Sequence, residues 1–277
     1  MRFFHPLSSF GLFIVAAAAP SCSSGDDETA PVQASQCEQL GLDIGDVDPE
    51  GKTVKLLVLG DTGEGNEAQF QVAKAMDAKC EAVGGCTAVL MLGDNFYDFG
   101  VQGTDDEQWG PKFEEPYDLP NLNGLKFYAT LGNHDYGITS KGSEDAQVDY
   151  SYLEVGDGAG QRTTGKWSML DTYYDVLFEH VHIFSMDTQD GSDEQKDDMS
   201  MRVACSRATW KLVFGHHPRF TSGAHNADNR GILEDVLKIG MFAAQEAIYC
   251  GADMFLTGHD HNMEFIDQGR DPNCPEV

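Results

Sequence analysis

Basic residues are scarce in this chain: 18 Lys and Arg stand against 46 Asp and Glu, leaving a formal charge of -28. A surface of that sign repels nucleic acid and anionic lipid, so neither is expected as a partner. An anionic small molecule would have to be held by something locally cationic, and bound metal ions meet that need. The seven cysteines include no C-x-x-C pair, which argues against a thiolate metal site. No repeat of solenoid length is present, and the apolar stretch near the N-terminus is too short to span a bilayer. What remains is a chain of 277 residues, enough for a full core and read as one folded domain.

The N-terminus carries Arg2, an apolar stretch around Phe10 to Ala19 and then small residues, the layout of an export signal. Residues 1–22 are therefore set outside the fold, and the protein is expected to be secreted, periplasmic or lipid-anchored at the cell envelope. Cys22 resembles a bacterial lipoprotein cysteine, although a Leu usually stands where Ala19 is, so lipidation and simple cleavage both stay open. Membrane contact is expected only through such an anchor. Residues 23–50, rich in Ser, Asp, Glu and Gly, read as a polar lead-in, and residues 51–277 as the globular domain. Setting Cys22 aside leaves six cysteines, an even number suited to an oxidising compartment; the expected pairs are Cys80–Cys86, Cys205–Cys250 and Cys37–Cys274.

Five short apolar runs each end in Gly followed by a residue able to bind a metal: VKLLVLG before Asp61, AVLMLG before Asp94, KFYATLG before Asn133, WKLVFG before His216 and DMFLTG before His259. Unalternating runs of this length fit strands buried on both faces, and the longer segments between them allow helical crossovers, which is an α/β pattern. Asn66 to Val83 and Ile232 to Tyr249 are the expected crossovers, with a weaker helix from Gln195 to Ser206. TYYDVLFEHVHIFSMD, ending at Asp187, reads as two strands joined by a tight turn. Trp109, Phe113 and Tyr117 read as packing residues. Asp105, Asp106, Asp197 and Asp198 lack the order of a calcium loop and read as solvated.

Ligands in open α/β sheets bind beyond the carboxyl ends of the strands, where all five polar residues would converge. His259 and His261, two apart, would present both imidazoles on one side if the segment is extended. Asp94, with two carboxylate oxygens, can bridge a pair of ions. The carboxylate, amide, imidazole and phenol donors suit iron, manganese or zinc, and the set calls for two ions.

The ordered motifs GDTG, GDNFY, GNHD, GHH and GHDH resemble those of the calcineurin-like metallophosphoesterases, specifically the small purple or tartrate-resistant acid phosphatases, over roughly Lys52 to Asp267. Most relatives begin D-x-H; here Asp61-Thr62-Gly63 lacks that histidine, and Tyr97, three after Asp94, supplies a replacement donor. The resemblance implies two mixed β-sheets packed face to face and flanked by helices. It also implies a ferric site of Asp61, Tyr97 and His261, a divalent site (Fe2+, Zn2+ or Mn2+) of Asn133, His216 and His259, and Asp94 as the bridge. The implied reaction is hydrolysis of phosphate monoesters by attack of a metal-bound hydroxide, with His134 as proton donor and His225 on the substrate side. Small phosphorylated molecules are the expected partners of a monomer. A phosphodiesterase or nucleotidase on the same scaffold, or a metal- or phosphate-binding surface protein, are the competing readings. His217, Arg219, His180 and His182 are left behind the site or at the surface. The family continues through a further glycine-rich strand segment after the point where GHDHNMEFID is followed by few residues, so a truncated C-terminus is expected.

Overall fold

The computed structural model describes residues 13–17, 37, 51–137, 143–156, 163–225, 248 and 250–267. The five apolar runs form strands β2 (Val54–Leu59), β3 (Ala88–Met91), β4 (Phe127–Ala129), β8 (Trp210–Phe214) and β9 (Met254–Leu256). The expected hairpin is β6 (Tyr174–Phe178) and β7 (Val181–Ser185), paired antiparallel. A two-residue strand β5 (Trp167–Ser168) completes one sheet edge. The strands β2, β3, β4 and β5 run parallel in one sheet, and β7, β8 and β9 run parallel in the other. Both sheets are mixed, because each carries one antiparallel neighbour.

The first crossover is helix α1 (Glu67–Ala82), started where Asn66 accepts the backbone N–H of Gln69 at 3.1 Å. Its buried face, Ala73, Met76 and Cys80, recurs at helical spacing and packs on the first sheet's core. Helices α2 (Asn133–Tyr136), α3 (Glu144–Ser151) and α4 (Asp193–Cys205) follow, the last where the weaker helix was expected. Residues 232–247 and 249 of the other expected crossover lie outside the described residues.

Side chains alternate across the second sheet. Val181, Ile183, Leu212 and Phe214 join the core shared with the first sheet, whereas Phe184 and Val213 pack with Met199 and Val203 of α4. The period of two thus puts one face of the sheet against its partner sheet and the other under a helix. Tyr174 Oη donates to the Ala129 carbonyl at 2.7 Å and Thr130 Oγ1 to the Met186 carbonyl at 2.6 Å, tying the sheets together. Trp109, Phe113 and Tyr117 are buried in this core, as expected, with the Trp109 and Tyr150 rings stacked at 3.6 Å.

Phe13–Ala17, within the stretch read as an export signal, forms β1, antiparallel to β2. The edge of β2 presents unpaired N–H and C=O groups, and a run of β-forming apolar residues is the natural complement to it. Two expectations are corrected. Cys205 pairs with Cys37, not Cys250, with the Cα atoms 5.6 Å apart; Cys80–Cys86 forms as expected. Cys250 is also disulfide-bonded, and Cys274 lies outside the described residues. His180 and His182 are buried at the start of β7, and His182, between Asp175 at 2.7 Å and Ser206 at 2.9 Å, braces the hairpin and the end of α4 at the end of the strand remote from the site.

Candidate metal centre

Seven side chains converge beyond the carboxyl ends of the two parallel strand sets. The turns that aim them are strained: Asp61, Asp94, His259 and His261 all have positive φ, from 51° to 75°. Non-glycine residues seldom occupy this region, and each costs on the order of 1–3 kcal/mol that the rigid strands must offset. The expected extended geometry for His259 and His261 is therefore replaced by two left-handed turns. Their rings reach opposite ends of the cluster as a result.

At one end, the Tyr97 hydroxyl lies 2.9 Å from His261 Nε2, 3.0 Å from Asp94 Oδ2 and 3.3 Å from Asp61 Oδ1. At the other, His216 Nε2 lies 3.1 Å from both Asn133 Oδ1 and His259 Nδ1. Asp94 belongs to both ends, because its Oδ2 is also 3.4 Å from His216 Nε2. Ligand atoms of Asp61, Asp94 and His216 lie within 4.8 Å of one another, as do those of His216, His217 and His259.

Gly63 explains why the first motif lacks a histidine. A Cβ there would stand 2.1 Å from the Asn95 carbonyl oxygen, so the backbone between Asp94 and Tyr97 fills the space a side chain would need. That same approach delivers the phenol of Tyr97 to Asp61. Gly132 is required for a similar reason, since its Cβ would fall 2.3 Å from Asp94 Oδ1.

The electrostatics favour a cation. Burial pushes the Tyr97 phenol far above its ordinary range, and the carboxylates of Asp61 and Asp94 push it further. Burial alone would raise Asp94 and lower His216, but their mutual attraction reverses both, holding Asp94 at about 2 and His216 at about 9. The donor set of two carboxylates, phenol, amide and three imidazoles fits iron, manganese or zinc chemistry.

A cavity of about 400 Å3 opens over the cluster, lined by Asp94, Asn133, His134, His225, His259 and His261 among others. His134 is placed from two sides: its N–H donates to Asp94 Oδ1 at 2.9 Å, and its Nδ1 lies 2.9 Å from the Asp98 carbonyl oxygen. Donation from Nδ1 to that carbonyl leaves Nε2 as the second ring nitrogen for chemistry. The ring of His225 lies 4.1 Å from that of His259. All nine residues singled out from the sequence are therefore brought to one place.

Asp135 and Thr188 escaped sequence reasoning. Asp135, fully buried, accepts the backbone N–H groups of Asn95, Phe96 and Gly132 at 2.8–3.2 Å and the side-chain amides of Asn95 and Gln147. It ties the Asp94–Tyr97 turn to the Asn133 turn. Burial and the charge of Asp94 raise its pKa to about 7 against those donors. His217 is buried, with Nδ1 2.8 Å from Thr188 Oγ1, which also accepts the N–H groups of His216 and His217. Thr188 follows β7, whose end lacks the Gly-plus-ligand signature, so no local signal marked it.

The calcineurin-like phosphoesterase family model matches residues 54–263, and the chain belongs to that family. Within it, the chain is 27% identical over 230 residues to purple acid phosphatase 7 of Arabidopsis thaliana, covering 77% of this chain and 66% of that protein. It is likewise 27% identical over 245 residues to purple acid phosphatase 17 of the same plant, covering 79% and 66%. Tartrate-resistant acid phosphatase type 5 of Homo sapiens is 25% identical over 244 residues, covering 77% and 68%. The chain thus spans about two thirds of the length of these curated relatives. The solved structure of GAP50, the anchor in the inner membrane complex of Plasmodium, shares the fold with a TM-score of 0.56 at 23% identity, covering 75% of this chain and 66% of that one.

Proposed function

We propose that the chain is an exported acid phosphatase acting on small phosphate monoesters through two metal ions. The observation that carries the reading is Asp94, which touches both donor groups at the floor of a single cavity that also holds His134. Asp61, Tyr97 and His261 form the set for Fe3+, and Asn133, His216 and His259 the set for Fe2+, Zn2+ or Mn2+, with Asp94 shared. Two such cations supply positive charge for the phosphoryl group and acidify the attacking water.

The chain's own residues do the rest. The Asp98 carbonyl holds His134 so that a proton on Nε2 can pass to the departing alkoxide oxygen, a service that requires a protonated imidazole and so favours acid. His225 steadies the phosphate from the opposite segment of the cavity wall. Among the described residues, none of those lining the cavity is Lys or Arg, so the phosphate relies on metals and histidines in a strongly acidic molecule. The Cys37–Cys205 and Cys80–Cys86 disulfides support an oxidising compartment.

The test is turnover of metal-loaded protein on an alkyl phosphate, nitrophenyl phosphate and bis(nitrophenyl) phosphate. Monoesters should be preferred. His134→Ala should slow the alkyl ester by about 10²- to 10⁴-fold, and nitrophenyl phosphate much less, because its leaving group needs little protonation. Preference for the diester would make the protein a phosphodiesterase, and full metal loading without turnover would make it a binding protein.

A further inference from the structure

Two segments contribute one wall of the cavity: Ala224 and His225 come from one, and His259, Asp260 and His261 from the other. The first has no regular secondary structure, yet it is gripped at several points by the second. Asp260 Oδ1 accepts the N–H of His225 at 2.8 Å. Glu264 accepts the N–H of Ser222 on both carboxylate oxygens, at 2.9 and 3.1 Å, and the Ser222 hydroxyl also donates to it. Gly223 lies flat against Asp260, where a Cβ would come within 2.7 Å of the carboxyl carbon. Partial burial raises the Glu264 carboxyl, but hydrogen bonds from Ser222 and Thr221 outweigh it and hold the group below its usual range. Charged acceptors bound to two or more donors are among the stronger hydrogen-bonding groups.

We propose that Glu264, assisted by Asp260, is a positioning residue that clamps the 221–225 loop to the segment bearing His259 and His261, and so sets where His225 stands over the cavity. Neither carboxylate need touch the substrate for this. The consequence is mechanical coupling: the segment that reaches the metals through His259 and His261 also carries the grip on the loop that reaches the phosphate. Only the service of His225 to phosphate rests on the phosphatase reading. The grip itself does not.

The experiment uses the full metal-loaded chain and compares wild type with Glu264→Ala and Glu264→Gln. Amide hydrogen exchange at Ser222 and His225 reads the clamp directly. Hydrogen bonds to charged groups contribute about 1.5–3 kcal/mol, so exchange at Ser222 in Glu264→Ala should be roughly 10- to 100-fold faster, with Gln restoring part of the protection through its remaining carbonyl. The dissociation constant of inorganic phosphate and KM for a monoester should rise by about threefold or more, exceeding any change in kcat, with metal affinity retained. Unchanged exchange at Ser222, or faster exchange with unchanged phosphate affinity, would overturn the proposal, as would a loss confined to metal affinity. Should Glu264→Ala not fold, Ser222→Ala removes only the hydroxyl contact and should shift phosphate affinity in the same direction; no shift would overturn the clamp. A wild type that binds phosphate without hydrolysing esters would remove the catalytic reading and leave these two binding measurements to decide this one.

Discussion

At Tyr97 a buried phenol faces two carboxylates and an imidazole at 2.9–3.3 Å. Without a cation the phenol keeps its proton, because ionising it would place a third negative charge beside Asp61 and Asp94. A trivalent ion among these groups inverts that preference and favours the phenolate, a hard anionic donor. The oxidised iron-loaded protein should then show a visible phenolate-to-iron absorption band, and Tyr97→Phe at equal iron content should abolish it. A colourless wild type with full iron occupancy would reject the assignment of Tyr97 as a ligand. The four left-handed residues show how much local strain the cluster carries; replacing them with glycine would relieve the strain only by removing the donors.

Between elements, the junction at Asp187 is one that ties both sheets' loops together. Its N–H donates to Gln195 Oε1 of α4 at 2.8 Å, its carboxylate accepts the N–H of Gln189 at 2.8 Å, and the Tyr136 hydroxyl of α2 donates to it. Burial raises its pKa to about 6, even against those donors. In the unfolded chain the group ionises near the ordinary Asp value of about 3.9. The folded state therefore holds the proton more tightly, so the stability this group contributes is fully present below about pH 4 and is lost as pH rises to about 6, a change on the order of 3 kcal/mol. Asp187→Asn should flatten that part of the pH–stability curve while costing little at pH 4. Urea denaturation of both proteins at pH 4, 5, 6 and 7 checks it; parallel curves would show that Asp187 is ionised in the fold throughout.

For the whole molecule, a formal charge of -28 means that the folded state works against its own repulsion, and the donor cluster concentrates that charge. Cations that bind only the folded form stabilise it by mass action, by about 4 kcal/mol at a thousandfold excess over Kd. For a domain of this size each kcal/mol moves Tm by roughly 2–4 °C, so chelation should lower Tm by roughly 10 °C. Salt should recover part of the loss in the stripped protein by screening surface charge. An unchanged Tm on chelation would show that the seven donors do not hold a metal in the folded chain.

Period and punctuation determined the larger part of this protein. Short unalternating apolar runs made five of the parallel strands recognisable, the spacing of Ala73, Met76 and Cys80 marked α1, and each Gly-plus-donor strand end marked a member of the cluster. These are local signals: the face a strand or helix buries, and the turn that closes it, are written in neighbouring positions. Tertiary structure alone decided what depends on distant segments meeting. Cys205 found Cys37 across a separation of 168 residues because folding set their Cα atoms 5.6 Å apart, and no spacing rule distinguishes that pairing from the others six cysteines allow. The edge strand Phe13–Ala17 needed the open side of β2 before its apolar residues had a place in the sheet. Asp135, Thr188 and Glu264 carry no pattern of their own, because each acts by accepting N–H groups from turns brought near it only when strands distant in sequence have come side by side in a sheet.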